Sequence, residues 1–245
     1  MAARFWRSLR RVVLPALFWG LLAPTAFAGS FQITPMLIEV PAGSSVATYT
    51  VRNTGDQPLD IQVSAVRWTQ SHNQDHYAPA KHLLVVPQIL SIPPGREQLV
   101  RVALRTARPA GEAAYRLHFK EIPPAPKAGF VGVQTALNMN LPLFFLPPDV
   151  ETSYSARLSR GADGASVLVT IHNTGTRFVR IAQLTLTNSG GDRVGARGGP
   201  LYVLPGATRH WQISLERGTS RLANGTYRLT ISGGGKQQAR TLSLH

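Results

Sequence analysis

Three pieces of this chain occur twice, in the same order. "VRNTGDQPLDIQV" from Val51 is matched by "IHNTGTRFVRIAQ" from Ile171, "IPPGREQLVRVAL" from Ile92 by "LPGATRHWQISL" from Leu204, and "AAYRLHF" from Ala113 by "GTYRLTI" from Gly225. The spacing is kept too: Pro94 stands 21 residues before Tyr115, and Pro205 stands 22 before Tyr227. A pattern of elements used twice predicts two related domains. Each piece reads as strand, with alternating apolar residues bounded by Pro, Gly, Asn or Asp. "FQITPMLIEV", "LDIQVSAVRWTQ" and "LLVVPQILSI" add further strands, while helix-period patterns are nearly absent beyond the N-terminal segment. The predicted fold is therefore all-β, two sandwiches in one chain. Both Asn-Thr-Gly pieces read as turns closing a strand, with Gly55 and Gly175 expected to supply positive φ.

The boundary falls at "LPPDVE", where Pro147 and Pro148 stiffen the chain and cannot donate to a ladder. This gives a first domain over residues 29–147 and a second over 149–245. Residues 1–28 read as a cleavable signal peptide. Arg4, Arg7, Arg10 and Arg11 form a basic n-region, "VVLPALFWGLLAP" an apolar stretch too short to span a bilayer, and "AFA" a small-x-small cleavage site. Arg10-Arg11 hints at twin-arginine export, without the rest of that pattern. The expected location is the periplasm. No later run is long and apolar enough to insert in a membrane.

The chain has no cysteine, although an exported protein has disulfides open to it, so its cores alone must hold it together. The formal charge is +14; four basic and no acidic residues lie in the signal, which leaves +10. Such a charge favours anionic partners or simply keeps the protein soluble. Nucleic acid is not expected, because the chain is exported and its basic residues are dispersed. An acidic protein or a membrane surface fits better.

One stretch exceeds what a strand ordinarily needs. In "VGVQTALNMNLPLFFLP", Val131, Val133, Thr135, Leu137, Met139, Leu141 and Leu143 fall on one side. This is read as one long strand closing the first domain, about 40 Å at ~3.3 Å per residue. The Pro-rich "IPPAPKAGF" precedes it as an exposed loop. Half-buried antiparallel strands alternate in this way, so the row can be ordinary core. Its length also suits a strand added to another protein's sheet, where backbone bonds give affinity and alternate side chains fill pockets. An unpartnered apolar edge of that length is otherwise an aggregation hazard.

The chain resembles the periplasmic chaperones of the chaperone–usher pathway, the PapD-like pilus-assembly chaperones. The likeness rests on "IEVPAGSSVATYTVRNTGDQPLDIQVSAVRW", "PQILSIPPGREQLVRVAL", "EAAYRLHFKEIPP" and the row ending in "LPLFFLPP", with "VTIHNTGTRFVRI" and "YVLPGATRHW" in the second half. It spans essentially the whole chain after the signal. "EAAYRL" resembles the divergent archaic branch. The resemblance implies two Ig-like sandwiches set at an angle, and a protein that is not an enzyme and takes no cofactor. Its expected partners are pilus or fimbrial subunits and an outer-membrane usher. It implies donation of Val131, Val133, Thr135, Leu137 and Met139 to a subunit that lacks its last strand.

The family's register pin is a basic pair that grips the subunit's C-terminal carboxylate. Aligned on these motifs, Leu37 and Pro142 stand where that pair would be, so the pin does not carry over. Arg116 is the candidate substitute. In "AYRLHFK", Tyr115, Leu117 and Phe119 share one face and Arg116, His118 and Lys120 the other. That strand should pair with the long one and bring Arg116 to the inter-domain cleft, where a planar guanidinium suits a carboxylate. Asn138 and Asn140 are candidate hydrogen-bonding neighbours.

Other chemistry finds no frame. His72, Asp75, His76 and His82 lack a fixed ligand spacing, so no metal is expected. "GGGK" at Gly233 lacks the Walker pattern, no Gly-x-Ser-x-Gly elbow occurs, and no catalytic residue is assigned. Trp68 and Trp211 read as core. The alternative to a chaperone is a secreted two-domain Ig-like adhesin or structural pilus component; an exported hydrolase is a remote third class.

Overall fold

The computed structural model describes residues 31–126, 132–161, 166–216 and 222–244. The signal segment and Val131 lie outside these residues. With strands numbered in chain order, one sheet runs β1 (Phe31–Thr34), β3 (Val46–Asn53), β8 (Glu97–Leu104), β6 (Leu83–Val86). A second runs β2 (Ile38–Val40), β10 (Asn138–Phe145), β9 (Ala113–Ile122), β4 (Leu59–Ser71), β5 (Gln74–Pro79), and β7 (Ile89–Ile92) also pairs with β4. These two sheets face each other across a core that includes Tyr49, Val51, Ile61, Leu90, Val100, Leu117, Phe119, Leu143 and Phe145. Alternation produces this directly: "VATYTVRN" buries every second residue, and "AAYRLHFKE" buries Tyr115, Leu117, Phe119 and Glu121 on one face.

The remaining strands belong to a third system, β11 (Tyr154–Arg160), β12 (Val167–Asn173), β15 (Thr208–Leu215), β14 (Arg193–Val203), β13 (Val179–Thr187), β16 (Gly225–Gly233), β17 (Lys236–Leu244). β14 and β15 pair only at Gly195–Leu215 and Ala196–Ser214, a short seam between two larger ladders. At the far ends, the Tyr154 hydroxyl donates to Gln238 at 2.6 Å and Arg240 donates to the Tyr154 carbonyl at 2.9 Å, which ties β11 to β17. The fold is all-β, and the change of sheets falls between Phe145 and Tyr154. Among the described residues no helix is long and apolar enough to cross a membrane.

The repeat read from the sequence has a physical core. Asn53 is buried; its Nδ2 donates to the Gln57 and Ile92 carbonyls at 2.7 and 2.9 Å, and its Oδ1 accepts the Gly55 N–H at 2.9 Å. Asn173, equally buried, donates to the Arg177 and Val203 carbonyls, both at 2.8 Å, and accepts the Gly175 N–H at 3.0 Å. One buried amide per domain thus nails a turn to a neighbouring strand, with every polar atom engaged. The positive-φ expectation is corrected. Gly55 and Gly175 are not among the positive-φ residues; in this repeat Gly95 and Gly206 are, at 70° and 73°. Gly175 serves close approach instead, because a Cβ there would lie 2.4 Å from the Glu151 carbonyl oxygen.

The domains meet on an aromatic cluster. Phe144 stacks on Phe178 at 3.7 Å between ring centres, and Trp68 sits edge-on to Tyr202 at 5.5 Å. Trp68 and Trp211 are both buried, as read, but Trp68 joins the second domain's core and not the first's. The β4–β5 hairpin reaches across. Gln70 donates to the Tyr202 carbonyl and accepts the Leu204 N–H, and Asn73 accepts the His210 N–H. Asp75 accepts from Trp68, Gln70 and Arg209 at 3.0, 2.8 and 2.7 Å. Burial raises the Asp75 pKa, but these three donors and the Arg209 charge outweigh it and hold it below the usual range. Glu39 pairs with Arg177 at 2.5 Å, and Glu112 accepts the Phe178 N–H at 2.8 Å.

Candidate functional site: an apolar row that leaves its own sandwich

β10 pairs antiparallel with β9 from Asn138–Lys120 to Phe145–Ala113 and there it begins, so the strand is eight residues long. The expectation of one continuous strand from residue 131 is corrected: residues 132–137 belong to no strand. The physical reason lies across the ladder. Continuing the register would set residues 135 and 134 against Pro123 and Pro124, which have no N–H to give.

Exposure rises steadily along the row. Phe145 and Leu143 are fully buried, Leu141 is 3% exposed, and Met139 is half-buried against the same core. Leu137 is 39% exposed and Val133 is 92% exposed; Thr135 is exposed as well. The single apolar row of the sequence is thus divided. Its C-terminal half, with Met139 partly included, fills the protein's own core, and beyond Met139 the described side chains turn outward, Leu137 in part and Val133 almost wholly. β2 covers β10 only at Leu143, Phe144 and Phe145, leaving the outer edge at Asn138–Pro142 without a strand partner among the described residues.

Arg116 lies where this open edge meets the second domain. It faces Pro142 on β10 and Val66 on β4. Leu143 faces Ile38, the first residue of β2, and Leu37 immediately precedes that strand. Pro142 and Arg116 thus share a rung, and Leu37 stands one residue before the start of β2. One of the two positions without a basic residue, Pro142, thus stands directly opposite Arg116.

The Arg116 guanidinium packs over the Trp68 ring at 3.9 Å and near Tyr202 at 5.2 Å. Its Nε is enclosed with no hydrogen-bond partner, and no ion pair among the described residues involves it. Burial pulls its pKa down, against the pull of Tyr77, Tyr202 and Asp75. Burial, and then the Arg116 charge, hold His118 below the usual imidazole range. Asn140 faces His118 and Asn138 faces Lys120, all four on the rungs beyond Arg116. A half-buried cation clamped by aromatic rings is preorganised to receive an anion. Among the described residues no group of three or more acidic or imidazole side chains is placed to hold a metal.

Two residues escaped the sequence reading. Tyr202, which completes the platform under Arg116, has no counterpart in the repeat. Glu121 was legible: it stands in phase with Tyr115, Leu117 and Phe119, an acid on a core-facing row. It is 7% exposed.

Residues 30–151 match the family model described as pili and flagellar-assembly chaperone, PapD N-terminal domain. Similar solved structures cover nearly the whole chain. One belongs to the CsuC–CsuE chaperone–tip adhesion subunit pre-assembly complex from archaic chaperone-usher Csu pili of Acinetobacter baumannii (18% identity, 89% of this chain and 100% of that chain, TM-score 0.63). Another belongs to the Salmonella enterica SafA pilin in complex with the SafB chaperone (18% identity, 89% and 98%, TM-score 0.59). A third is the Pseudomonas aeruginosa CupB2 chaperone (18% identity, 87% and 100%, TM-score 0.56). At these identities the likeness establishes the two-domain fold. No curated protein matches the chain in sequence.

Proposed function

This chain belongs to the PapD-like pilus-assembly chaperones, a non-enzymatic family, and from that membership we propose that it works in the periplasm by strand donation. It lends the exposed half of its apolar row to a pilus subunit and passes the subunit to an outer-membrane usher. The observation that carries this reading is the exposure gradient. A row that begins as core at Phe145 and ends 92% exposed at Val133 has side chains with no work to do inside this protein. The open edge of β10 supplies main-chain groups beside them, so a subunit strand can add there while Val133, Thr135 and Leu137 enter its groove. Val131, which lies outside the described residues, is the next tooth of the same row. Two of the similar structures are complexes of a chaperone with a pilin or a tip subunit, which supports subunits as the partner class.

Arg116 takes the role of register pin. A subunit strand entering along β10 with its terminal carboxylate at the Pro142–Arg116 rung meets a cation whose rings already fix its plane. With that end held, a slip of one residue, which would turn the row out of the groove, is resisted. Asn138 and Asn140 border the path as hydrogen-bonding groups.

The test is recovery of a one-to-one complex from periplasm. Leu137→Glu abolishes recovery of the subunit while circular dichroism of the purified chaperone is unchanged. Unfolding of that variant, with no complex recovered from the wild type, overturns the reading.

A further inference from the structure

The last contact before the chain leaves its sheet is not an ordinary rung. The Glu121 N–H donates to the Leu137 carbonyl at 2.9 Å, as an antiparallel ladder requires. The Leu137 N–H, however, donates to the carboxylate Oε2 of Glu121 at 3.0 Å. A side-chain oxygen has taken the place of the main-chain acceptor, so β9 offers the departing chain no further backbone bond. Pro123 and Pro124 follow at once and carry no N–H. The next contact, Gln134 Nε2 to the Pro124 carbonyl at 2.9 Å, again uses a side chain. Among the described residues, 132–136 make no backbone hydrogen bond to β9.

We propose that Glu121 is a positioning residue: its carboxylate ends the β9 ladder at Leu137, fixing where the lent segment departs and keeping its backbone unzipped for a subunit. The inference rests on the strand-lending reading. The burial of Glu121 fits this role. A carboxylate 7% exposed on a core-facing row is costly unless an N–H meets it, and Leu137 provides that N–H.

Glutamine and leucine variants of the full-length chain separate this role from simple packing. The Glu121→Gln side chain keeps an oxygen for the Leu137 N–H, whereas Glu121→Leu keeps the volume and removes the acceptor. Hydrogen exchange on the free protein is read at the Leu137 amide, with Phe119 as an internal control. Capture is read with the β-rich subunit that co-purifies with the wild-type chain. The expected result is near-wild-type protection and capture for Glu121→Gln. For Glu121→Leu, the Leu137 amide exchanges at least tenfold faster, Phe119 is unchanged, and capture falls about tenfold. Glu121→Ala gives the same contrast if the leucine variant loses its fold. Protection at Leu137 and capture both within twofold of wild type in the leucine or alanine variant overturn the role of Glu121 and leave strand lending intact. Failure of the wild-type chain to capture any subunit overturns strand lending itself, and this inference with it.

Discussion

Replacing Val133 by alanine separates function from stability more cleanly than any other change in the row. In the free protein this side chain is 92% exposed and packs against nothing of consequence. Its loss therefore leaves thermal stability within about 1 °C of wild type, since surface changes remote from packing or hydrogen bonds fall within ~0.5 kcal/mol. In a subunit groove the same side chain is enclosed. Removing two methyl groups forfeits about 1.6 kcal/mol of transfer free energy at ~0.8 kcal/mol each, and a partly collapsed cavity brings the loss to about 2 kcal/mol. At 1.4 kcal/mol per decade this is a roughly 30-fold weaker complex. Leu143→Ala is the mirror control. That residue is fully buried in the chaperone's own core, so it costs about 3 kcal/mol or more of folding stability. The assay is titration of purified chaperone with purified subunit, alongside thermal unfolding by circular dichroism. Affinity within twofold of wild type for Val133→Ala, or a melting point several degrees lower, refutes the division of the row into an owned half and a lent half.

Arg116→Gln weakens complex formation by at least tenfold while Lys120→Ala changes it by less than threefold, measured by the same titration; equal or reversed effects discard the anchor. Glu112 makes the joint between domains sensitive to pH. Burial first of all, opposed by the Phe178 N–H and reinforced by Glu39, raises its carboxyl to about 7. The folded form thus keeps its proton where the unfolded chain has lost it, so stability is greatest below about pH 4.5 for this group. It falls as pH rises to about 7, by roughly 3 kcal/mol in all. Denaturant titrations from pH 5 to 8 should show the decline, and Glu112→Gln should flatten it. Asn53→Ala and Asn173→Ala each destabilise their own domain by roughly 2–4 kcal/mol, because each strands one buried carbonyl, one partly buried carbonyl and one turn N–H; urea unfolding followed by domain-specific hydrogen exchange checks both. Arg108→Ala frees the end of β2, since this guanidinium donates to the carbonyls of Leu146, Pro41 and Ser44. A loss of about 2–3 kcal/mol in the same urea assay is expected.

The sequence determined what depends on local chemistry. Alternation with period two and punctuation by Pro, Gly and Asn made the strands, and their repetition in order made two sandwiches, because each strand's pattern is set by its own residues. It also marked Arg116 as the cation on the polar face of a strand beside the long row. The tertiary structure decided where that row stops belonging to this protein. Periodicity is identical on both sides of Asn138, so nothing in "VQTALNMNLPLF" distinguishes a tooth from a core residue; only Pro123, Pro124 and the Glu121 carboxylate, arriving from another strand, break the ladder there. The tertiary structure alone likewise set Pro142 and Arg116 on one rung, and brought Tyr202 from the other domain to complete the platform under the guanidinium. Register between strands and contact between domains arise from long-range pairing, which a chain read one residue at a time does not contain.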